Sequence, residues 1–334
     1  MNTIPSDGLS ASPPPVGLVG PDRSAGSVGA ATTAISATDT PIRPRRVAFD
    51  WEHTPVHWIP GDAPTTHLIN VLHLLLPAGE KWFVQVYKEA LPLVTDDKLR
   101  EDVRGFMGQE SVHSYSHAAV LDHLRTQGID TSGYTRKLDW FFFDFLGDKP
   151  YIPMPEAEWL RFRLSLIAAI EHFTALLGKW VLEAEELDHV GADPVMLDLL
   201  RWHGAEEVEH RSVAFDLYQH LGGTWGRYPR RVEGMLFTAP TILWLWHVGA
   251  SYLMRHDPTI PDRRYRLRDM TRAARQGRAP SFVDLVFSIP RYLKPSYHPE
   301  GEASTQKAID YLATSPAARE AERRAAERRA RLAG

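Results

Sequence analysis

Two segments of this chain repeat one arrangement, Glu110-Ser-Val-His113 and Glu207-Val-Glu-His210. On a helix, residues three apart lie on one face, so each carboxylate and its imidazole project the same way. Two further glutamates, Glu80 and Glu171, each fall within a helical pattern of their own. One Glu from each of two helices, with Glu-x-x-His from each of two others, is the ligand set of a carboxylate-bridged dimetal site in a helix bundle. A single Glu-x-x-His carries little weight. Two of them, with two separate glutamates in the right order, are specific.

The elements that must position these residues are four long helices. The apolar periodicity places them at about 67–91, 95–127, 155–187 and 193–221. Thr95 and Asp96 are cap candidates for the second, Pro155 suits the first turn of the third, and Gly128 and Gly222-Gly223 close the second and fourth. Their core stripes read Ile69, His73, Leu76, Glu80, Phe83, Tyr87 in the first and Val103, Phe106, Glu110, His113, His117, Leu121 in the second. The third gives Leu164, Ile167, Glu171, Thr174, Gly178, Val181, and the fourth Leu200, His203, Glu207, His210, Ala214, Leu217. Each apolar seam is interrupted at mid-helix by ionisable groups. Four carboxylates buried without compensation would cost several kcal/mol apiece, on the order given for buried ions. Two divalent cations would bring the matching charge. A metal-free polar network is the alternative, but it needs counter-cations, and no Lys or Arg stands on the seams near the acids.

Short links join the first helix to the second and the third to the fourth, and a longer one containing Trp140–Leu146 crosses between the pairs. The expected fold is therefore all-α, a ferritin-like four-helix bundle with a helical C-terminal extension. The expected organisation is a disordered Ser/Pro-rich segment at 1–45, the bundle with its dimetal site at 46–222, a helical extension packed on it at 223–315, and a charged tail at 316–334. Residues 41–46 (PIRPRR) read as a solvated linker, and the apolar stretch 236–254 as a buried or interfacial helix rather than a membrane span.

Seven residues are expected to bind metal: Glu80, Glu110, His113, Glu171, His203, Glu207 and His210. His203, one turn before Glu207, is either a seventh ligand or a residue behind the ligands. His117 and His73 are expected behind the ligands or along a pocket wall. Glu206, Glu209 and His172 fall off the stripes and read as solvated or as contacts to neighbouring helices, and Tyr87, Tyr115 and Tyr218 as core.

The chain has no Cys, which excludes disulfides, iron–sulfur clusters, thiolate zinc sites and a Cys nucleophile, and leaves His and carboxylate as ligands. A net charge of −4 gives no global field for nucleic acid or an anionic membrane. No secretory signal is visible, so a cytoplasmic location is expected.

The runs Pro77-Ala-Gly-Glu80-Lys-Trp-Phe, Gly108-Gln-Glu110-Ser-Val-His113-Ser-Tyr-Ser-His117, Glu171-His-Phe-Thr and Trp202-His-Gly-Ala-Glu-Glu207-Val-Glu-His210-Arg-Ser-Val-Ala-Phe-Asp216 resemble a bacterial family of predicted metal-dependent hydrolases, over about residues 50–290. More distantly, the helix-four histidines are similar to those of di-iron arylamine N-oxygenases, a resemblance that implies a seventh ligand at His203. From the site type, the expected function is O₂ activation at two irons and oxidation of an apolar or aromatic small molecule, with Mn and Zn as alternative metals. The alternative is dimetal hydrolysis of an ester, amide or phosphoester, and a non-catalytic metal-binding protein is a third class. A small-molecule substrate and an electron-donor protein are the expected partners, with homodimer formation open.

Overall fold

The computed structural model describes residues 41–223, 226–261 and 264–333, and among them there is helix and no strand. The disordered segment expected at the N-terminus lies, up to residue 40, outside the described residues.

Four helices carry the site. Helix α1 (Ala63–Ala90) is capped by Asp62, whose side chain accepts from the Thr65 amide. Helix α2 (Asp97–Thr126) is capped by Asp96 rather than Thr95, and Gly128 ends it with φ 89°. Two short helical pieces follow, α3 (Ser132–Asp139) and a wide turn at Trp140–Phe145. Helix α4 (Glu156–Glu183) ends before the expected Leu187, and a separate short helix, α5 (Glu185–His189), takes over. Helix α6 (Pro194–His210) starts at Asp193, which accepts from the Met196 amide, with Pro194 in its first turn.

The expected fourth helix is not continuous. It breaks at Arg211-Ser212, directly after His210, and resumes as α7 (Val213–Leu221). Arg211 is buried there, its guanidinium donating to the Glu300 carbonyl and the Thr305 hydroxyl. The C-terminal region thus grips the chain at the end of the ligand-bearing helix.

Helices α1 and α2 pack as one hairpin and α4 and α6 as the other. Gly178 and Gly204 mark the closest approach within the second pair. A Cβ on Gly178 would lie 2.4 Å from the Gly204 carbonyl oxygen, so only glycine lets these helices meet at that height. Gly204 adjoins His203 and is about one turn from Glu207, and Gly178 is two turns from Glu171.

A fifth long helix, α8 (Arg227–His256), lies across α1 and α4. It contains the apolar stretch 236–254, which is half buried: Ala239, Leu245, Trp246 and Leu253 face inward while Leu236 and Trp244 face out. Helices α9 (Leu267–Arg275), α10 (Phe282–Tyr292) and α11 (Thr305–Thr314) complete the extension. The charged tail is a helix, α12 (Pro316–Ala333), packed at its start and exposed from Glu322 to Leu332. Asp198 of α6 accepts from the Ala317 amide at its start, and Ala317, Ala318 and Ala321 are buried. Among the described residues one helix, α4, is long and apolar enough to cross a membrane, and two-thirds of its apolar window is buried in the bundle.

Candidate metal centre

All seven expected ligands are buried and converge between α1, α2, α4 and α6. Glu80, Glu110 and His113 bring one donor atom each within 4.8 Å of one another, and so do Glu110, Glu171 and His210. The two triads share Glu110. Glu207 faces both: its carboxylate lies 3.6 Å from His113 Nδ1 and 3.4 Å from His210 Nε2. Glu110 and Glu207 thus lie between the two imidazoles, an arrangement that could hold cations on either side.

Each imidazole is oriented by what its other nitrogen meets. His113 Nε2 is 2.8 Å from Glu206 Oε2, and with the ring donating there the Nδ1 lone pair faces Glu110 and Glu207. His210 Nδ1 is 3.0 Å from Gln109 Oε1, and the Gln109 amide nitrogen donates to Glu209 at 2.6 Å, which fixes the amide's orientation. His210 Nε2 is thereby left facing Glu110, Glu171 and Glu207 at 3.3–3.4 Å.

One guanidinium supports both histidines. Arg45 donates to Glu206 at 2.7 Å and to Glu209 at 2.9 Å. The segment expected as a solvated linker is therefore packed on the bundle: Ile42 lies over Gly105 and Pro44 over Gly108, which places Arg45 against α6. Glu206 and Glu209 are likewise not solvated, and their neighbouring contacts are the ones that orient the ligands.

His203 directs Nε2 toward Glu207 at 2.7 Å and Glu80 at 3.6 Å. Its Nδ1 meets His117 Nε2 at 2.6 Å, and His117 Nδ1 meets His73 Nδ1 at 2.7 Å. Three buried imidazoles thus form a line leading away from the centre. Tyr87 is buried as expected, stacked on Phe106, and Tyr218 is buried too, but Tyr115 is 75 % exposed and no part of the core. His172 is buried between Tyr297 and Ser288, away from the centre.

The electrostatics describe a site short of positive charge. Burial, reinforced by Glu207, pushes Glu110 up to about 8, and the same two causes push Glu171 up to about 8. Glu80 is raised well above the carboxylate range by burial and by Glu110. Burial would raise Glu207 as well, but His210 and His203 outweigh it and hold this carboxylate low. His210 is raised in turn by Glu207 and Glu171 against the opposing effect of burial.

The fit to metal ions rests on unmet bonding. Both oxygens of Glu80, Glu110 Oε1, His113 Nδ1, Glu171 Oε2, Glu207 Oε2 and His210 Nε2 are buried with no hydrogen-bond partner. Buried polar atoms are otherwise nearly always paired. Seven unpaired ligand atoms aimed into one space, all N or O and none S, suit two divalent transition metals.

The residues missing from the sequence reading are Arg45, Gln109, Glu206 and Glu209 in their orienting roles. The signal that could have found Glu206 and Glu209 is the second nitrogen of each ligand imidazole, which needs an acceptor close by. Arg45 lies 161 positions from Glu206 and carries no such signal.

Residues 43–303 match the family model described as "Predicted metal-dependent hydrolase". That description bears out the family resemblance drawn from the motifs, and it supports the hydrolytic alternative better than the oxidative expectation. No curated protein and no solved structure matches the chain.

Proposed function

The chain belongs to the family of predicted metal-dependent hydrolases, and from that premise we propose that it is a dimetal hydrolase acting on an ester or amide bond in an apolar small molecule. The observation that carries this reading is the convergence of seven unpaired, buried carboxylate and imidazole atoms, with Glu207 and His203 at the wall of one apolar cavity and Glu80 at the wall of another. Glu80, Glu110 and His113 would hold one ion, Glu171 and His210 the other, with Glu110 and Glu207 between them and His203 Nε2 as a seventh donor. When bound, such a pair polarises a carbonyl and makes water a competent nucleophile near neutral pH.

The chain's own contribution is placement. Arg45, through Glu206 and through Glu209 and Gln109, holds both imidazoles in the orientation that aims a lone pair inward. His203 and Glu207 line the cavity wall, so a substrate's reacting bond would lie against them while its apolar part lies among Leu72, Leu76 and Leu177. In hydrolysis a water oxygen bonds to the acyl carbon, the acyl–oxygen or acyl–nitrogen bond breaks, and the leaving group takes the proton.

A second reading, oxidation of the substrate with O₂ by two irons and an electron-donor protein, is favoured by one observation. The cavities at the centre are walled by apolar side chains, which suits a reactive oxidant better than a polar substrate.

Purified protein loaded with Zn, Mn or Fe, assayed on p-nitrophenyl esters of increasing chain length and in parallel for substrate-dependent O₂ uptake, separates the two. The hydrolytic reading expects ester cleavage that chelation and Glu207→Ala both abolish, without O₂ uptake. Uptake of O₂ by the iron form with no cleavage under any metal would overturn it.

A further inference from the structure

Four cavities meet at one side chain, the indole of Trp246. The innermost two reach the metal centre, one at His203 and Glu207 and the other at Glu80. A third runs between α4, α8 and α10, and the outermost is a groove on the molecular surface bounded by Leu243, Met270, Phe282 and Val286.

One row of side chains runs the whole way. Leu68 lines the surface groove and the first inner cavity, Leu72 and Leu76 line both inner cavities, and Glu80 ends the row at the metals. Successive members are four residues apart, so they stand in line along α1. Twelve residues at 1.5 Å rise make this row about 18 Å long.

We propose that these cavities form one tunnel and that its ligand is a slender, unbranched aliphatic chain with its reactive polar end at the metal centre. This deepens the hydrolytic reading and, for the position of the polar end, rests on it.

Three observations select that ligand. The first is chemistry: apart from Glu80, Glu207, His203 and His247, the lining side chains carry no ionisable group other than the phenol of Tyr265 in the outer groove. A charged or hydroxylated substrate would lose its hydration there with nothing in return. The second is width. Free space is about 380 Å³ in the outer groove but about 40 Å³ and 70 Å³ in the two inner cavities. The free space thus shrinks several-fold from the mouth toward the centre, which suits a slender chain better than a fused ring system. The third is the mouth, where Leu267, Val283 and Phe287 line the groove at 61–74 % exposure and Trp244 stands exposed nearby on α8. Large apolar side chains kept in water around an opening favour a ligand that arrives from an apolar phase.

Length follows from geometry. Three bonds of an extended chain span about 3.3–3.6 Å, so about 18 Å holds roughly 15 bonds.

The test uses uncharged n-alkanols from butanol to octadecanol, titrated calorimetrically into the full-length protein with and without bound metal. The expected result is an affinity that rises roughly fourfold per methylene, in both forms, and stops rising near the predicted length. A compact ring alcohol such as 1-naphthalenemethanol should bind more weakly than an n-alkanol of equal carbon number. Leu72→Trp, which fills the tunnel midway, should remove the length dependence while metal content and the far-ultraviolet circular dichroism stay as in the parent. Should that variant not fold, Leu177→Ala serves instead and should admit branched alkanols that the parent rejects. A flat response to chain length, tighter binding of the ring alcohol, or unchanged chain binding by a folded Leu72→Trp protein would each overturn the proposal. Because the metal-free protein is titrated as well, the tunnel is judged apart from the reaction: binding without ester cleavage refutes hydrolysis alone, and cleavage without chain selectivity refutes the tunnel alone.

Discussion

Two groups of histidines and carboxylates sit in this fold, and they differ in what their atoms lack. At the junction of the N-terminal segment, α1 and the end of α8, Asp257 accepts from His57 Nε2 at 2.6 Å and from His67 Nε2 at 2.7 Å, and its other oxygen accepts from Thr259. His67 Nδ1 is the one atom of that group without a partner. In the bundle centre seven donor atoms lack partners and three carboxyls are pushed toward protonation. The first group is a tie closed by its own hydrogen bonds. The second is incomplete without cations. Residue types alone do not separate the two, and the state of satisfaction does.

Removing a carboxylate from the bundle centre should have the largest effect. Glu110→Ala or Glu207→Ala should cost at least one metal ion per chain and abolish activity while the helical content is kept, since each faces both imidazoles. Full metal occupancy in either variant, measured by plasma mass spectrometry, would remove the basis for the site.

The two groups should also respond to pH in opposite directions. In chelated protein Glu110 and Glu171, pushed up to about 8 from 4.5, hold protons that the unfolded chain has already lost. The folded state then binds more protons, so stability falls as pH rises from about 4.5 to about 8. Asp257 is held below its ordinary range, chiefly by His67 and Thr259 against the effect of burial, and buried His67 is held below its own. Both make the folded state bind fewer protons in acid, so their contribution is lost as pH falls. Denaturant melts of chelated protein across pH 5–8 should therefore show the decline toward high pH, and Asp257→Asn should leave that decline in place. A metal-loaded protein should lack it.

The orienting residues come next in size. Arg45→Ala leaves Glu206 and Glu209 buried without their cation and frees both ligand imidazoles to turn, so metal affinity should fall roughly 10–100-fold, as is usual for residues that orient ligands. An unchanged affinity in a competitive chelator titration would show that the histidines are held otherwise.

His203→Ala should have a smaller effect, with both ions retained and the reaction slowed, because the other six ligands still define two positions. Loss of an ion would make His203 indispensable to one of them.

Asp257→Asn should move metal content least of all. Its effect belongs to stability, a loss of about 1–3 kcal/mol from weakened buried hydrogen bonding, read by denaturant melts. A lowered metal count in this variant would make the tie a metal site and erase the comparison.

Much of this was legible in the sequence because helical periodicity and the Glu-x-x-His spacing act on the same residues: each apolar stripe is interrupted at mid-helix by ionisable groups that must meet in the bundle's interior. The four ligand-bearing helices and the convergence of Glu80, Glu110, His113, Glu171, His203, Glu207 and His210 follow from that. The break at Arg211 was not legible, because its cause is a guanidinium taken up by Glu300 and Thr305 nearly a hundred residues away. Arg45 was hidden for the same reason: a basic cluster beside a Pro-rich stretch reads as solvated until its carboxylate partners are known to be buried. Local rules report faces and caps, and long-range pairing of charge lies beyond them.

The most direct measurement is the anomalous difference map of a crystal of metal-loaded protein. Two peaks per chain are predicted, about 3.5–4 Å apart as in two-metal sites generally, one beside His113 and Glu80 and the other beside His210 and Glu171. A map with no peak among these residues, or with a single peak at His57, His67 and Asp257, would contradict the account.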